Sequence, residues 1–124
     1  MAPLHSYKYT YFLVSSPSPY IAHVEINRPT KLNAFSQPVW LEFGAVFRQL
    51  SSDADVRAVV LSGAGDRAFT AGLDLMAASQ DGVLNSEEKD VARKAKALRG
   101  HISEFQECIS WMEWCEKREL SSAF

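Results

Sequence analysis

Val56-Arg57-Ala58-Val59-Val60-Leu61, followed by Ser62-Gly63-Ala64-Gly65, is the stretch that decides the fold. It is a near-continuous apolar run, bounded by Asp55 upstream and by glycines downstream. Such runs belong to strands buried on both faces, which occur where helices cover a parallel sheet. Just upstream, Val39, Trp40, Phe43, Val46, Phe47 and Leu50 recur at helical spacing. Ser36 is placed to cap that helix, Pro38 suits its first turn, and Ser51-Ser52-Asp53 supplies the stop. Before the helix, Ile21 to Ile26 alternates, with Ala22, Val24 and Ile26 on one face. Strand, helix and strand in that order make a β-α-β unit with parallel strands.

On the N-terminal side, Tyr7 to Val14 carries aromatic and branched residues that favour a strand, and Ser15-Ser16-Pro17-Ser18-Pro19 reads as the turn into the next one. Arg28-Pro29-Thr30-Lys31-Leu32-Asn33 reads as a polar loop, because Pro29 biases Arg28 away from helix. On the C-terminal side, Ser79 to Ser86 reads as a polar loop and a long helix is expected from about Glu87. In that helix Val91, Ala95, Leu98, Ile102, Phe105, Ile109 and Met112 alternate four and three apart. The stripe fits a helix laid on its own core, or a coiled-coil or subunit interface.

With 124 residues, 47% hydrophobic and 23% charged, the composition is that of one globular domain. A net charge of −2 with scattered Lys and Arg offers no basic face for nucleic acid or an anionic membrane. No stretch approaches the ~18 apolar residues of a membrane span, and neither a signal nor a transit pattern is legible. Cys108 and Cys115 on one helix would lie roughly 10 Å apart, beyond disulfide reach, and read as free thiols. His5, His23 and His101 form no ligand-spaced pair, so no metal is expected.

The chemistry centres on Arg67-Ala68-Phe69-Thr70-Ala71-Gly72-Leu73-Asp74-Leu75. A small-residue turn at Gly72 can present bare backbone N–H groups to a ligand carbonyl, which is half of an oxyanion hole. That points to enolate or acyl chemistry. Asp74 is a candidate general base, or a cap that orients the loop. Lys31 is either a solvated loop lysine or a point charge for a phosphate. Gly63-Ala64-Gly65-Asp66-Arg67-Ala68 formally matches a dinucleotide-binding fingerprint, but the following Phe69-Thr70-Ala71-Gly72 is poor chemistry for the helix such a site needs.

Taken together, Val24-Glu25-Ile26-Asn27-Arg28-Pro29-Thr30-Lys31-Leu32-Asn33-Ala34-Phe35 and the stretch from Val56 to Leu75 closely resemble the enoyl-CoA hydratase/isomerase (crotonase) family. The continuation through Met76, and Asp90-Val91-Ala92-Arg93 leading into the long helix, look most like the Δ3,5-Δ2,4-dienoyl-CoA isomerases. The resemblance runs from about Tyr20 to Lys117. It implies an α/β fold, the N-terminal half of a crotonase-like β-β-α-β-α arrangement over residues 1–117, with 118–124 as a divergent tail. It also implies that the substrate is an acyl-CoA thioester, coenzyme A being part of the substrate and no separate cofactor being needed.

By the same resemblance Arg28, Lys31 and Ala34 become candidate contacts to coenzyme A, with Ala71 along its arm and adenine. Gly72, Leu73, Asp74 and Leu75 complete the substrate-binding set. Leu73 matches the position whose backbone N–H gives the first oxyanion donor, with Gly72 permitting close approach. The family's buried strand, its second glycine-rich loop with the other oxyanion N–H and its proton-shuttling acids would follow Lys117, where Arg118-Glu119-Leu120-Ser121-Ser122-Ala123-Phe124 stands instead. The chain thus looks like a truncated member, either an impaired acyl-CoA isomerase or hydratase, or a non-catalytic fragment that pairs through its long helix with itself or a full-length homologue. Family resemblance suggests peroxisome or mitochondrion, and the cytoplasm if the short chain stands alone.

Overall fold

The computed structural model describes residues 2–3, 6–80 and 90–121. Along the chain these form β1 (Ala2–Pro3), β2 (Phe12–Ser18), β3 (Ile21–Ile26), a 3-10 turn (Pro29–Lys31), α1 (Gln37–Ser51), β4 (Ala58–Gly63), α2 (Leu75–Gln80), α3 (Val91–Trp114) and β5 (Arg118–Ser121). The expected β-β-α-β-α order is there, with β1, α2 and β5 added to it. All five strands join one sheet whose spatial order is the chain order. β1 to β3 pair antiparallel, while β3, β4 and β5 run parallel, with Ala22 opposite Val59 and Val24 opposite Leu61.

Residues 118–121, expected to diverge as a tail, instead continue the sheet as β5. The physical reason is the edge of β4, whose backbone groups need partners and find them in the parallel pairing Ala58 with Arg118 through Leu61 with Ser121. Residues 122–124 lie outside the described residues. The first hairpin is also displaced from its expected place. β2 runs through Ser15, Ser16 and Pro17, and the turn falls at Pro19-Tyr20, where Tyr20 takes φ +67°. A register break between Ser15 and Ser18 absorbs Pro17, which has no N–H for the ladder.

Tyr7 to Tyr11 is not strand but is laced onto α1 and the turn that follows it. The Tyr7 hydroxyl donates to Asp53 at 2.6 Å, the Tyr9 hydroxyl to Gln49 at 2.6 Å, and the Tyr11 N–H to Glu42 at 2.9 Å. Burial, reinforced by the Asp53 carboxylate, pushes the Tyr7 hydroxyl well above its ordinary range, so it stays a donor.

α1 buries the stripe expected of it, Val39, Trp40, Phe43, Val46, Phe47 and Leu50, against Phe12, Val14, Ala22, Val24, Ile26, Val59 and Leu61 of the sheet. Ser36 occupies the cap position in extended backbone, although its side chain makes no capping bond. Phe43 is the centre of the aromatic packing, with ring centroids 6.0 Å from Phe12, 5.7 Å from Phe35 and 4.8 Å from Phe47. β4 buries Val59 and Leu61 while Ala58 and Val60 are half-buried, so its second face is less covered than the apolar run suggested.

α3 begins where the Asp90 carboxylate accepts from the Ala92 N–H at 2.9 Å. The expected polar loop over Ser79 to Ser86 is in part the end of α2, and its remainder, with Glu87 to Lys89, lies outside the described residues. Only the C-terminal half of α3 lies on the core, where Phe105 meets Trp40 edge to face at 4.6 Å and Arg48 stands 5.6 Å over the Trp111 ring. Its N-terminal half is open, with Val91 80% and Ile102 46% exposed. The two helices cross at Gly44, where an added Cβ would lie 3.2 Å from the Cys108 Cα. Neither Cys108 nor Cys115 is in a disulfide. Replacing Gly44 by Val should push the helices apart and cost about 1–3 kcal/mol, read as a lower denaturation midpoint.

Candidate active site

Two loops that are far apart in sequence, 28–35 and 64–74, are joined into one body by a short piece of parallel pairing between Phe35 and Leu73. The Phe35 N–H donates to the Gly72 carbonyl at 2.6 Å and the Asp74 N–H to the Phe35 carbonyl at 2.8 Å, while Ala71 donates to the Leu32 carbonyl at 2.9 Å. The carbonyl and N–H of one trans peptide point in opposite directions. Because the Gly72 carbonyl points at Phe35, the Leu73 N–H points away from it, and no described residue accepts that N–H. Gly72 holds φ +84°, a conformation that glycine adopts without a steric cost.

Asn33 is the buried hub of this arrangement, 1% exposed and itself left-handed at φ +56°. Its Oδ1 accepts the Arg28 N–H at 2.9 Å, and its Nδ2 donates to the carbonyls of Ala64 at 3.0 Å and Ala68 at 2.9 Å. Gly63 lets this contact form, since a Cβ there would lie 2.8 Å from Asn33 Nδ2 and 2.3 Å from the Phe69 carbonyl. Gly63, at the end of β4, therefore serves loop packing, and α2 starts only at Leu75, which removes the geometry of the dinucleotide fingerprint. Thr70 adds a further tie, its hydroxyl donating to the Asn33 carbonyl at 2.6 Å and accepting the Gly72 N–H at 3.1 Å.

Arg28 and Asp74 clamp the same two loops. The Arg28 guanidinium donates to the Ala34 carbonyl at 2.5 Å, pairs with Asp74 at 3.3 Å and stands 5.6 Å over the Tyr11 ring. The other Asp74 oxygen accepts the Ala77 N–H at 3.1 Å at the start of α2. That backbone bond, with Arg28 beside it, holds the Asp74 carboxyl below its usual range, against the opposing effect of burial. Of the two roles open for Asp74, cap and orienter is the one the contacts describe. The remaining candidates are at the surface: Lys31, Ala71 and Leu75 are exposed, whereas the Ala34 side chain is buried.

Gly72 and Thr70 also border a cavity of about 270 Å³, whose wall is otherwise apolar: Ile26 and Leu61 from the sheet, Phe43 from α1, Phe35 and Phe69 from the loops, and Phe105, Ile109 and Met112 from α3. The peptide that carries the Leu73 N–H thus borders an apolar space. None of these wall residues titrates, and among the described residues no group of His, Cys, Asp or Glu is arranged to hold a metal. His23 meets Ser62 at 2.6 Å and His101 packs edge to face on Trp40 at 5.1 Å, whereas His5 lies outside the described residues.

Asn33, Thr70, Tyr11 and the α3 wall were not singled out from sequence. Phe105, Ile109 and Met112 stood on the apolar stripe, which signals a buried face but not a cavity. Nothing in the sequence marks Thr70.

An apolar cavity thus lies beside a glycine turn whose following backbone N–H has no acceptor among the described residues. The family model described as Enoyl-CoA hydratase/isomerase matches residues 18–109, and the chain belongs to that family. It is 44% identical over 121 residues to the human protein named Delta(3,5)-Delta(2,4)-dienoyl-CoA isomerase, mitochondrial, covering 98% of this chain and 36% of that one. To the Arabidopsis thaliana protein named Delta(3,5)-Delta(2,4)-dienoyl-CoA isomerase, peroxisomal, it is 33% identical over 119 residues, 96% of this chain and 42% of that one. The chain thus spans well under half the length of these relatives. A crystal structure of an enoyl-CoA hydratase/isomerase from Xanthobacter autotrophicus Py2 superposes with TM-score 0.74 at 27% identity, over 94% of this chain and 39% of that one. The crotonase-like α/β expectation holds.

Asp74→Ala removes a helix cap and leaves Arg28 without its carboxylate partner, and should cost about 1 kcal/mol at neutral pH. A carboxyl whose folded pKa is depressed stabilises the fold above its unfolded pKa and loses that contribution as pH falls through the folded value. Urea denaturation of both forms should therefore show a gap at pH 7 that narrows below about pH 4 and closes in stronger acid.

Proposed function

We propose that this chain supplies the coenzyme A loop and the first oxyanion donor of an enzyme that isomerises or hydrates enoyl-CoA thioesters, with Δ3,5-Δ2,4-dienoyl-CoA isomerisation as its specific reaction. The observation that carries this is the Leu73 N–H, unused within the described residues and carried on a peptide that borders an apolar cavity. The names of the relatives support the choice of reaction. A thioester carbonyl accepting from Leu73 would be polarised, so that a proton leaves C2 and the electron pair spreads over the diene onto the carbonyl oxygen as a dienolate. Return of a proton at C6 moves the double bonds from 3,5 to 2,4. Lys31, exposed beside the loop, suits a phosphate of coenzyme A, and Arg28 acts from behind by holding the Ala34 carbonyl. A mitochondrial or peroxisomal location accompanies this reading, in keeping with the names of the relatives.

One oxyanion donor is worth about 10²–10³ in rate, and an acid/base group about 10²–10⁴. The described cavity wall carries no acid or base. The 124 residues on their own should therefore bind an enoyl-CoA but turn it over far more slowly than the named isomerases. Binding should appear as a rise in Tm with added enoyl-CoA, preserved in Leu73→Ala and abolished in Gly72→Val, which cannot hold φ +84° without strain. A turnover rate equal to that of the relatives would refute the half-site reading.

A second reading rests on the open half of α3. Val91 and Ile102 expose apolar surface on one stripe, and a non-catalytic chain could associate through it. A concentration-independent monomer mass in light scattering would refute it.

A further inference from the structure

We propose that Thr70 is a positioning residue for the oxyanion donor. The inference rests on the reading of Leu73 given above and extends it to a side chain that the resemblance did not single out.

The Thr70 hydroxyl is the middle of a relay that starts at the most constrained side chain of the site. Asn33 has its amide fixed by three backbone groups, the Arg28 N–H and the carbonyls of Ala64 and Ala68. Its own carbonyl is fixed in turn, and Thr70 donates to it at 2.6 Å. That bond uses the hydroxyl's one proton, so the lone pairs of the oxygen are directed elsewhere, and one of them accepts the Gly72 N–H at 3.1 Å. The Gly72 carbonyl is then held by the Phe35 N–H at 2.6 Å. Gly72 is thus gripped at both of its peptides, by Thr70 on the N-terminal side and by Phe35 on the C-terminal side.

Such a grip matters because side-chain packing does not restrain this residue. A Cβ at Gly72 would meet no atom within 4 Å, so packing does not hold the turn, and glycine's backbone is the freest of all. Rotation about the Gly72 dihedrals turns the plane of the next peptide and swings the Leu73 N–H with it. A donor to a developing oxyanion has to be aimed before the charge forms, and a misplacement of about 1 Å can cost 10²-fold. A hydroxyl that both donates to a buried loop and accepts from the glycine supplies that aim. Thr70 touches neither the carbonyl nor the reacting carbons and is not a catalytic residue.

The test reads the donor directly. The full chain is saturated with a 2-enoyl-CoA carrying ¹³C at the thioester carbonyl, and the infrared carbonyl band is compared between bound and free ligand. In the unsubstituted protein the band should move to lower frequency. Thr70→Val, which keeps the shape and removes both bonds, should lose most of that movement while still binding the ligand, and Thr70→Ser should restore it. A side chain that only stabilised the loop would lower Tm in Thr70→Val without changing the band of the bound ligand. Should Thr70→Val lose its circular dichroism, Thr70→Ala is read in its place. A full band movement in the folded Thr70 variant overturns the proposal and leaves the Leu73 reading standing. Absence of binding or of any band movement in the unsubstituted protein overturns the Leu73 reading and the proposal with it.

Discussion

The site depends on the buried amide of Asn33. One side chain closes its own loop by accepting the Arg28 N–H and reaches across to the loop after β4 by donating to Ala64 and Ala68. A buried amide left unpaired would cost about 1–3 kcal/mol, so the loops are stable in the arrangement that satisfies it. The Phe35–Leu73 pairing, the Arg28–Asp74 clamp and the entry into α2 all presuppose that the two loops already lie side by side. The sheet serves the same purpose, since parallel pairing of β3 with β4 brings both loops off the same end of adjacent strands, with Ile26 opposite Gly63.

Charge is used here to build rather than to bind. Arg28 and Asp74, the conspicuous ionic residues of the two loops, neutralise each other with both side chains largely buried. Their partners are backbone groups, the Ala34 carbonyl and the Ala77 N–H, so the pair fixes main-chain positions on each side of the site. What lines the cavity is almost wholly apolar surface, with Thr70 and Gly72 at its border, a surrounding of low screening for any polar group placed in it.

Much of this was legible in the chain itself. The β3-α1-β4 unit could be read because its signals are strong and local: alternation in Ile21 to Ile26, a helical stripe from Val39 to Leu50 and an apolar run closing on glycine. The first hairpin was misplaced because Ser-Ser-Pro-Ser-Pro is turn-like by composition, whereas the bulge that accommodates Pro17 is a property of the pairing. β5 was missed because four residues of mixed polarity carry little strand signal, and it is the open edge of β4 that recruits them. In the candidate site, a motif draws attention to Gly72 and Leu73, and the structure places both in the loop paired to Phe35. Asn33 could not be ranked above its polar neighbours, since its importance lies in three acceptor and donor groups that only the folded chain brings within reach. Thr70 shares that limit.

The Leu73 side chain is 46% exposed, and the group of interest at that position belongs to the main chain. Identity and function are therefore uncoupled at this residue: substitutions there can reshape the rim of the site, its greasiness and bulk, without touching the donor. The contacts that fix the orientation of this peptide involve other residues, Asn33, Thr70 and Gly72. On the proposed reading, a lineage built on this loop can vary the side chain at one exposed position while the aim of the backbone donor is kept by others.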